Sequence, residues 1–137
     1  MKAKESVILA FDYGLRRIGV AVGHTMLKTS TPLTILAANE GVPNWQDVEK
    51  LITEWNPAQL VVGEPLNMDG TDSEMAARAR RFSRRLAERF KLPCELIDER
   101  LSSEEASELL QSGDRPRIGL DAAAAQVILQ TWMNQRP

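Results

Sequence analysis

Residues 7–20 read VILAFDYGLRRIGV: five apolar or small residues run into one acid, Asp12, and a second apolar run begins at Ile18. A short, continuous apolar run is typical of a strand that is covered on both faces of a sheet, and the glycine and arginines between the two runs predict a hairpin turn. Asp12 is then either one charge in a polar turn or a carboxylate that holds a metal ion or a phosphate at the edge of a central sheet. The stretch by itself leaves both interpretations open.

The composition of the 137 residues is that of a globular protein, with 43% hydrophobic and 26% charged residues. No apolar run approaches the ~20 residues of a membrane span, and the N-terminus shows no cleavage motif of a signal peptide. Cys94 is the single cysteine, which excludes an internal disulfide and a cysteine-rich zinc site. We therefore expect one domain over residues 1–137, no membrane association and a cytoplasmic location.

The hydrophobic pattern predicts three strands, a helix, a strand, a helix, a strand and two final helices. The strands are expected at 7–11, 18–24, 31–36, 60–65 and 94–98, and the helices at 44–55, 73–90, 102–113 and 119–134. Hairpin-linked strands followed by βαβ units predict an α/β fold with a mixed five-stranded sheet. In that sheet three strands are antiparallel, two more are parallel, and helices flank both faces.

Three acids, Asp12, Glu64 and Asp98, lie at or next to the ends of predicted strands. Functional sites of such sheets lie where strands end in loops, at a switch point in strand order. Asp121 adds a fourth candidate, because helical spacing puts it on the face of Ile128 and directs its carboxylate towards the protein. A buried carboxylate needs a partner, which is an arginine, a backbone donor or a metal. An equally good interpretation is that the free N–H groups at the helix N-terminus satisfy Asp121 and that it has no further role.

The tripeptide Asp98-Glu99-Arg100 follows the last predicted strand. Alternation along a strand would point Asp98 to one face and Glu99 to the other, so either acid could join Asp12, or both could pair with arginines. Carboxylates that converge from different elements suit Mg²⁺, and two such ions promote phosphodiester hydrolysis. The sequence has no His/Cys set for zinc, no supported Ser-His-Asp arrangement and no Walker A pattern.

Arginine is the dominant base: 12 of the 17 basic residues are Arg, although the net charge is −2. Six arginines lie between Arg78 and Arg89, where they form either a solvated helix face or a phosphate contact. The other arginines next to the candidate acids lie in loops and suit phosphate oxygens. The candidate nucleic-acid contacts are Arg16, Arg17, Asn67, Arg100, Arg115 and Arg117.

Four segments occur together in the order and spacing of the YqgF/RuvX family, and the resemblance covers nearly the whole chain. They are FDYGLRRIGVAVG (11–23), VVGEPLNMDGT (61–71), DERLSSEEA (98–106) and DAAAAQVILQ (121–130). The resemblance implies an RNase H-like fold similar to the RuvC Holliday junction resolvases, and a phosphodiesterase dependent on Mg²⁺ or Mn²⁺, with two ions expected. It implies that Asp12, Glu99 and Asp121 are catalytic and hold the metal, with Asp98 as a further metal ligand.

Two departures from the family pattern stand out. Glu64 replaces the leucine that the second motif usually carries, so it either adds an acid near the metals or points outward to an arginine. The loop SGDRPRIG (112–119) is shorter and less rich in lysine than in many family members, and Arg115 and Arg117 could compensate.

The leading hypothesis is a metal-dependent endonuclease that matures the 5′ end of pre-16S ribosomal RNA. Its expected partners are structured RNA and ribosomal precursor particles. The alternative in the same class is resolution of Holliday junctions in branched DNA. Two alternatives of another class are a non-catalytic RNA-binding ribosome assembly factor and an actin-like-fold nucleotide binder, although the latter fold normally needs two such domains. The sequence leaves the oligomeric state open.

Overall fold

The computed structural model describes residues 6–102 and 120–135. Six strands form one sheet in the order β4-β3-β2-β1-β5-β6. They are β1 (Val7–Asp12), β2 (Arg17–His24), β3 (Thr29–Asn39), β4 (Val42–Pro43), β5 (Gln59–Glu64) and β6 (Cys94–Asp98). The helices are α1 (Trp45–Trp55), α2 (Glu74–Phe90), a 3-10 turn (Glu99–Ser102) and α3 (Leu120–Asn134).

The pairing confirms the predicted mixed sheet. β1, β2, β3 and β4 pair antiparallel in succession, whereas β5 pairs parallel to both β1 and β6. Two details differ from the expectation: β3 is longer than the predicted 31–36, and the two-residue β4 adds a sixth strand to the expected five. β4 has too few residues, one of them Pro43, to produce a strand pattern in the sequence.

Helices cover both faces of the sheet, as predicted. Leu9 and Phe11 of β1 belong to a core shared with α1 and α2, whereas Ile8 and Ala10 belong to a second core shared with α3. This division follows from the alternation of side chains along a strand, since successive residues point to opposite faces. It also determines which acids can meet at the ends of the strands.

Local signals position the helix ends. Asn44 caps α1, where its Oδ1 accepts a hydrogen bond from Gln46 N at 3.0 Å, and Asn56 ends the helix in the left-handed conformation. Ser73 caps α2 by accepting from Ala76 N at 2.9 Å. These caps satisfy N–H groups that the first turn of a helix leaves without partners. The predicted capped helix over 102–113 lies largely outside the described residues.

The helices among residues 6–102 and 120–135 are too short or too polar to cross a lipid bilayer.

Candidate active site

Side-chain alternation brings Asp12 and Glu99 to the same face of the sheet. In β1, Asp12 follows Ile8 and Ala10, which face α3. Ile97 of β6 faces α3 as well, so Glu99, two residues later, emerges on that side at the start of the 3-10 turn. The parallel order β1-β5-β6 sets both residues at the carboxyl ends of their strands, with β5 between them.

The carboxyl groups of Asp12 and Glu99 share a hydrogen bond. Burial is the main cause that raises the pKa of Asp12 to about 8, and the neighbouring Glu99 raises it further. Burial also raises the pKa of Glu99, although the hydrogen bond from Asp12 opposes that change. Two ionised carboxylates in contact repel each other, so the pair retains a proton at neutral pH in the absence of a cation.

Asp121 completes the group from the opposite direction. It lies in the first turn of α3, whose backbone at Asp121 packs directly on Gly19, the antiparallel partner of Asp12. The charge of Asp121 contributes to the raised pKa of Asp12. Its side chain is 37% exposed, less buried than the sequence predicted, and its Oδ2 lies 3.2 Å from Nε of Arg17. Asp12 and Glu99 are therefore in contact, and Asp121 lies close enough for its charge to act on Asp12.

Two glycines allow these approaches, and sequence reasoning missed both. A side chain at position 19 would collide with the backbone carbonyl of Asp121 and place its Cβ 2.8 Å from the nitrogen of Ala122. A side chain at position 63 would place its Cβ 2.6 Å from Oε1 of Glu99 and 2.5 Å from a methyl group of Ile128. Glycine inside a strand marks a close approach, and that signal was present in both strands.

The two glycines predict different costs when each is replaced by alanine. Gly19→Ala collides with backbone, which cannot turn aside, so we expect a loss of about 2–3 kcal/mol in the free energy of unfolding. Gly63→Ala meets only the ends of side chains, so we expect about 1 kcal/mol there, together with displacement of the Glu99 carboxyl group. Urea denaturation of both variants measures the difference. A cost for Gly19→Ala no larger than that for Gly63→Ala would contradict the packing described here.

Asp98 is not brought together with Asp12. It faces the side of the sheet opposite to Glu99, and its Oδ2 lies 2.7 Å from Nη2 of Arg100. The hydrogen bonds from Arg100 lower the pKa of Asp98. Arg100 also donates to the carbonyl oxygen of Met68 at 3.4 Å, so it ties the end of β6 to the loop that follows β5. Arg100 is thus already engaged within the protein.

Glu64 also points away from the three acids. Its Oε2 accepts a hydrogen bond from Nη1 of Arg80 at 2.8 Å, and Nη2 of the same guanidinium lies 2.8 Å from Oδ2 of Asp72. Of the two sequence interpretations of Glu64, the structure therefore agrees with the outward pairing to an arginine.

The other predicted contacts differ in their surroundings. Arg16, in the turn between β1 and β2, and Arg17, the first residue of β2, are both exposed. Asn67 is exposed too, but its amide donates to Oγ1 of Thr71 at 3.0 Å and so shapes its own loop. Arg115 and Arg117 lie outside the described residues.

The donors at this site suit a hard cation, since all are carboxylate oxygens. A cation would also remove the reason for the Asp12–Glu99 pair to retain a proton. In the described ranges, however, no three Asp, Glu, His or Cys side chains stand close enough to coordinate one ion together. Coordination by all three acids therefore requires a shift of side chains, most simply the release of Asp121 from Arg17.

Comparison with known proteins gives consistent matches. A family profile described as "RuvX: Holliday junction resolvase" matches residues 6–135. A protein of Marinobacter nauticus is 48% identical over 133 residues, covering 94% of this chain and 93% of its own. One of Azotobacter vinelandii is 50% identical over 135 residues, with coverages of 96% and 95%. Both carry the name "Putative pre-16S rRNA nuclease".

Solved structures agree on the fold. Thermus thermophilus RuvC in complex with a Holliday junction substrate superposes with a TM-score of 0.63 at 13% identity, over 96% of this chain and 95% of that one. The yeast mitochondrial Holliday junction resolvase gives 0.52 at 13% identity, over 92% and 77%. At this level of identity the likeness concerns the RNase H-like architecture alone.

Proposed function

The chain belongs to the RuvX family of nucleases, and on that premise we propose that it is a metal-dependent endonuclease that cleaves the precursor of 16S ribosomal RNA. The observation that carries the proposal is the buried Asp12–Glu99 pair, with Asp121 beside it. Retaining a proton on such a pair costs stability, and a catalytic site for cations accounts for that cost. The names of the relatives supply the RNA substrate.

In this proposal Asp12, Glu99 and Asp121 hold Mg²⁺ or Mn²⁺. Two such ions, when bound, activate water for attack on phosphorus and stabilise the leaving oxygen. The carboxyl pair must release its proton to act as a ligand, and Arg17 must part from Asp121. Arg17 is 68% exposed, so its guanidinium is free to turn towards a phosphate oxygen, for which its planar donors are well suited.

A cleavage assay tests the proposal. Purified protein with Mg²⁺ or Mn²⁺ is given pre-16S RNA carrying its 5′ extension and, in parallel, a four-way DNA junction. We expect cleavage of the RNA by the wild type and a loss of roughly 10³-fold or more in Asp12→Asn, because a metal ligand is removed. Asp47→Asn is the matched control, since Asp47 is exposed on α1, across the sheet.

The other outcomes are equally informative. Cleavage of the junction alone would favour resolution of branched DNA, which the description of the family profile supports. RNA binding without cleavage in any metal would indicate a non-catalytic assembly factor. Equal cleavage by Asp12→Asn and the wild type would show that the acids are not the active site.

A further inference from the structure

A groove lined by arginines lies across the β1–β2 turn from the three acids. One part, a cleft of about 550 Å³, lies between the β1–β2 turn, the β3–β4 turn and α2, and Arg16 and Arg78 line it. A smaller hollow of about 140 Å³ continues it, lined by Tyr13, Arg81 and Arg85. Arg78 lines both parts. We refer to the whole as the arginine groove.

The charge of the arginine groove is unbalanced. Glu40 is the single acid among its lining residues, against four arginines. Arg78 has an exposed pair with Glu74 at 3.3 Å, and such pairs contribute little. Arg16, Arg81 and Arg85 show no ion pair with any other residue that the structure describes. Four arginines against one acid form a positive surface that attracts anions.

The other three arginines of α2 lie outside the groove, and two of them are engaged elsewhere in the protein. Arg80 is held by Glu64 and Asp72 at the end of β5. Arg89 lies 4.4 Å above the ring of Trp45 in a cation–π contact. Arg84 is exposed and lines neither part of the groove. Three arginines of α2, Arg78, Arg81 and Arg85, therefore line the groove, and the other three lie outside it.

Backbone contacts hold the rim of the groove in place. Ala38 N donates to the carbonyl oxygen of Arg16, and Gly41 N donates to that of Leu15, each at 2.8 Å. Gly41 has a φ of +84° and packs against the hydroxyl group of Tyr13, where a Cβ would collide. A rim that is already ordered loses little conformational entropy when it binds a ligand.

The spacing of the arginines indicates a polymeric ligand. Arg78, Arg81 and Arg85 follow one another at three- and four-residue steps, so they lie along one side of α2 over about 10 Å. A strand stacked as in a DNA duplex advances about 3.4 Å per nucleotide, so that length corresponds to roughly three stacked nucleotides. Leu15 and Val42, 40% and 45% exposed, add apolar surface beside the turns.

We propose that the arginine groove binds the sugar–phosphate backbone of the substrate strand and leads it over the β1–β2 turn to the three acids. Consecutive residues at the end of the turn link the two places: Arg16 lines the groove, whereas Arg17, the first residue of β2, contacts Asp121. The same holds for Tyr13 in the groove and Asp12 in the acid group. The identity of the ligand rests on the proposed nuclease function, but the binding itself does not require cleavage.

Binding is measured in the Asp12→Asn background, by fluorescence anisotropy of a labelled single-stranded RNA of about 12 nucleotides and of the DNA of the same sequence. The test variant is Arg81→Gln/Arg85→Gln, and the control is Arg84→Gln/Lys50→Gln. The control removes the same charge from exposed positions outside the groove. All variants are compared by thermal melting to confirm that they fold.

We expect the test variant to lose about 1.4 from the slope of log K against log salt, since each single-strand phosphate contact contributes about 0.7. If the variants bind equally at 1 M salt, this change in slope makes binding at 0.1 M salt roughly 25-fold weaker. The loss should be similar for RNA and DNA, because phosphate contacts do not read the base. The control should lose about threefold or less.

A loss in the test variant no larger than that in the control would overturn the proposal, even if the protein cleaves RNA. Weaker binding of tripolyphosphate together with unchanged binding of RNA would overturn it too, because it would indicate a site for a small anion. Weaker RNA binding confined to the test variant would support the proposal even if the protein cleaves nothing. In that case the proposed nuclease function would be wrong, but the groove would still be a nucleic-acid-binding site.

Discussion

At pH 8 in the presence of a chelator, Asp12→Asn is expected to melt roughly 10 °C above the wild type, because removing the acid lifts a penalty of a few kcal/mol. In the folded wild type, burial and Glu99 raise the pKa of Asp12 to about 8. Asparagine has no proton to retain, and its amide can donate to an ionised Glu99. The substitution would thus stabilise the fold while it removes the proposed metal ligand.

The sign follows from proton linkage. Between the ordinary pKa of an aspartate and the raised pKa of Asp12, the folded protein holds a proton that the unfolded chain has released. The free energy of unfolding therefore falls as pH rises through this window, by up to about 1.4 kcal/mol per pH unit from this one group. The contribution is fully present below pH ~4 and is lost as pH passes through about 8.

The difference in the free energy of unfolding between Asp12→Asn and the wild type should accordingly increase from pH 5 to pH 8. Urea denaturation at several pH values in a chelator measures it, and Asp47→Asn, an exposed change on α1, should show no such trend. Saturating Mg²⁺ should restore stability to the wild type and much less to Asp12→Asn, because a ligand stabilises only the protein that binds it. If Asp12→Asn were less stable than the wild type at pH 8, this account of the Asp12–Glu99 pair would be refuted.

The sequence allowed the architecture to be predicted because its signals are local. Apolar runs, the caps Asn44 and Ser73, and the breaker Asn56-Pro57 specify elements within a few residues of one another. β4 was not predicted because a two-residue strand has no periodicity of its own. Its place depends on the turn at Gly41, which depends in turn on contact with Tyr13.

The acid site was predictable only in part. Alternation showed that Asp98 and Glu99 face opposite sides, but which side faces Asp12 depends on how β5 and β6 pair, a contact between distant segments. The partner of Asp121 was equally undetermined, since Arg17 lies more than a hundred residues away in the chain. The pairing of Glu64 with Arg80 depends in the same way on where α2 crosses the sheet.

Two neighbouring acids allow the sharpest functional comparison. Glu99→Gln is expected to lower cleavage by roughly 10²–10³-fold or more, because it removes a charged group that contacts Asp12 at the reacting end of the sheet. Asp98→Asn removes the same charge one residue earlier, from a carboxylate that faces the other way and pairs with Arg100. We expect it to lower cleavage by about tenfold, the lower end of the range for a group that only orients its neighbours.

Comparison of the Glu99→Gln and Asp98→Asn variants also separates effects on catalysis from effects on stability. Asp98 has a lowered pKa, so its loss should cost a little stability at neutral pH, whereas Glu99 has a raised pKa, so its loss should cost none or add some. Glu99→Gln should therefore be the less active of the two variants but melt at the higher temperature. Asp98→Asn should be the more active and melt at the lower temperature. Equal activity losses in the two variants would mean that Asp98 acts together with Asp12 and Glu99, and that its contact with Arg100 breaks when substrate binds.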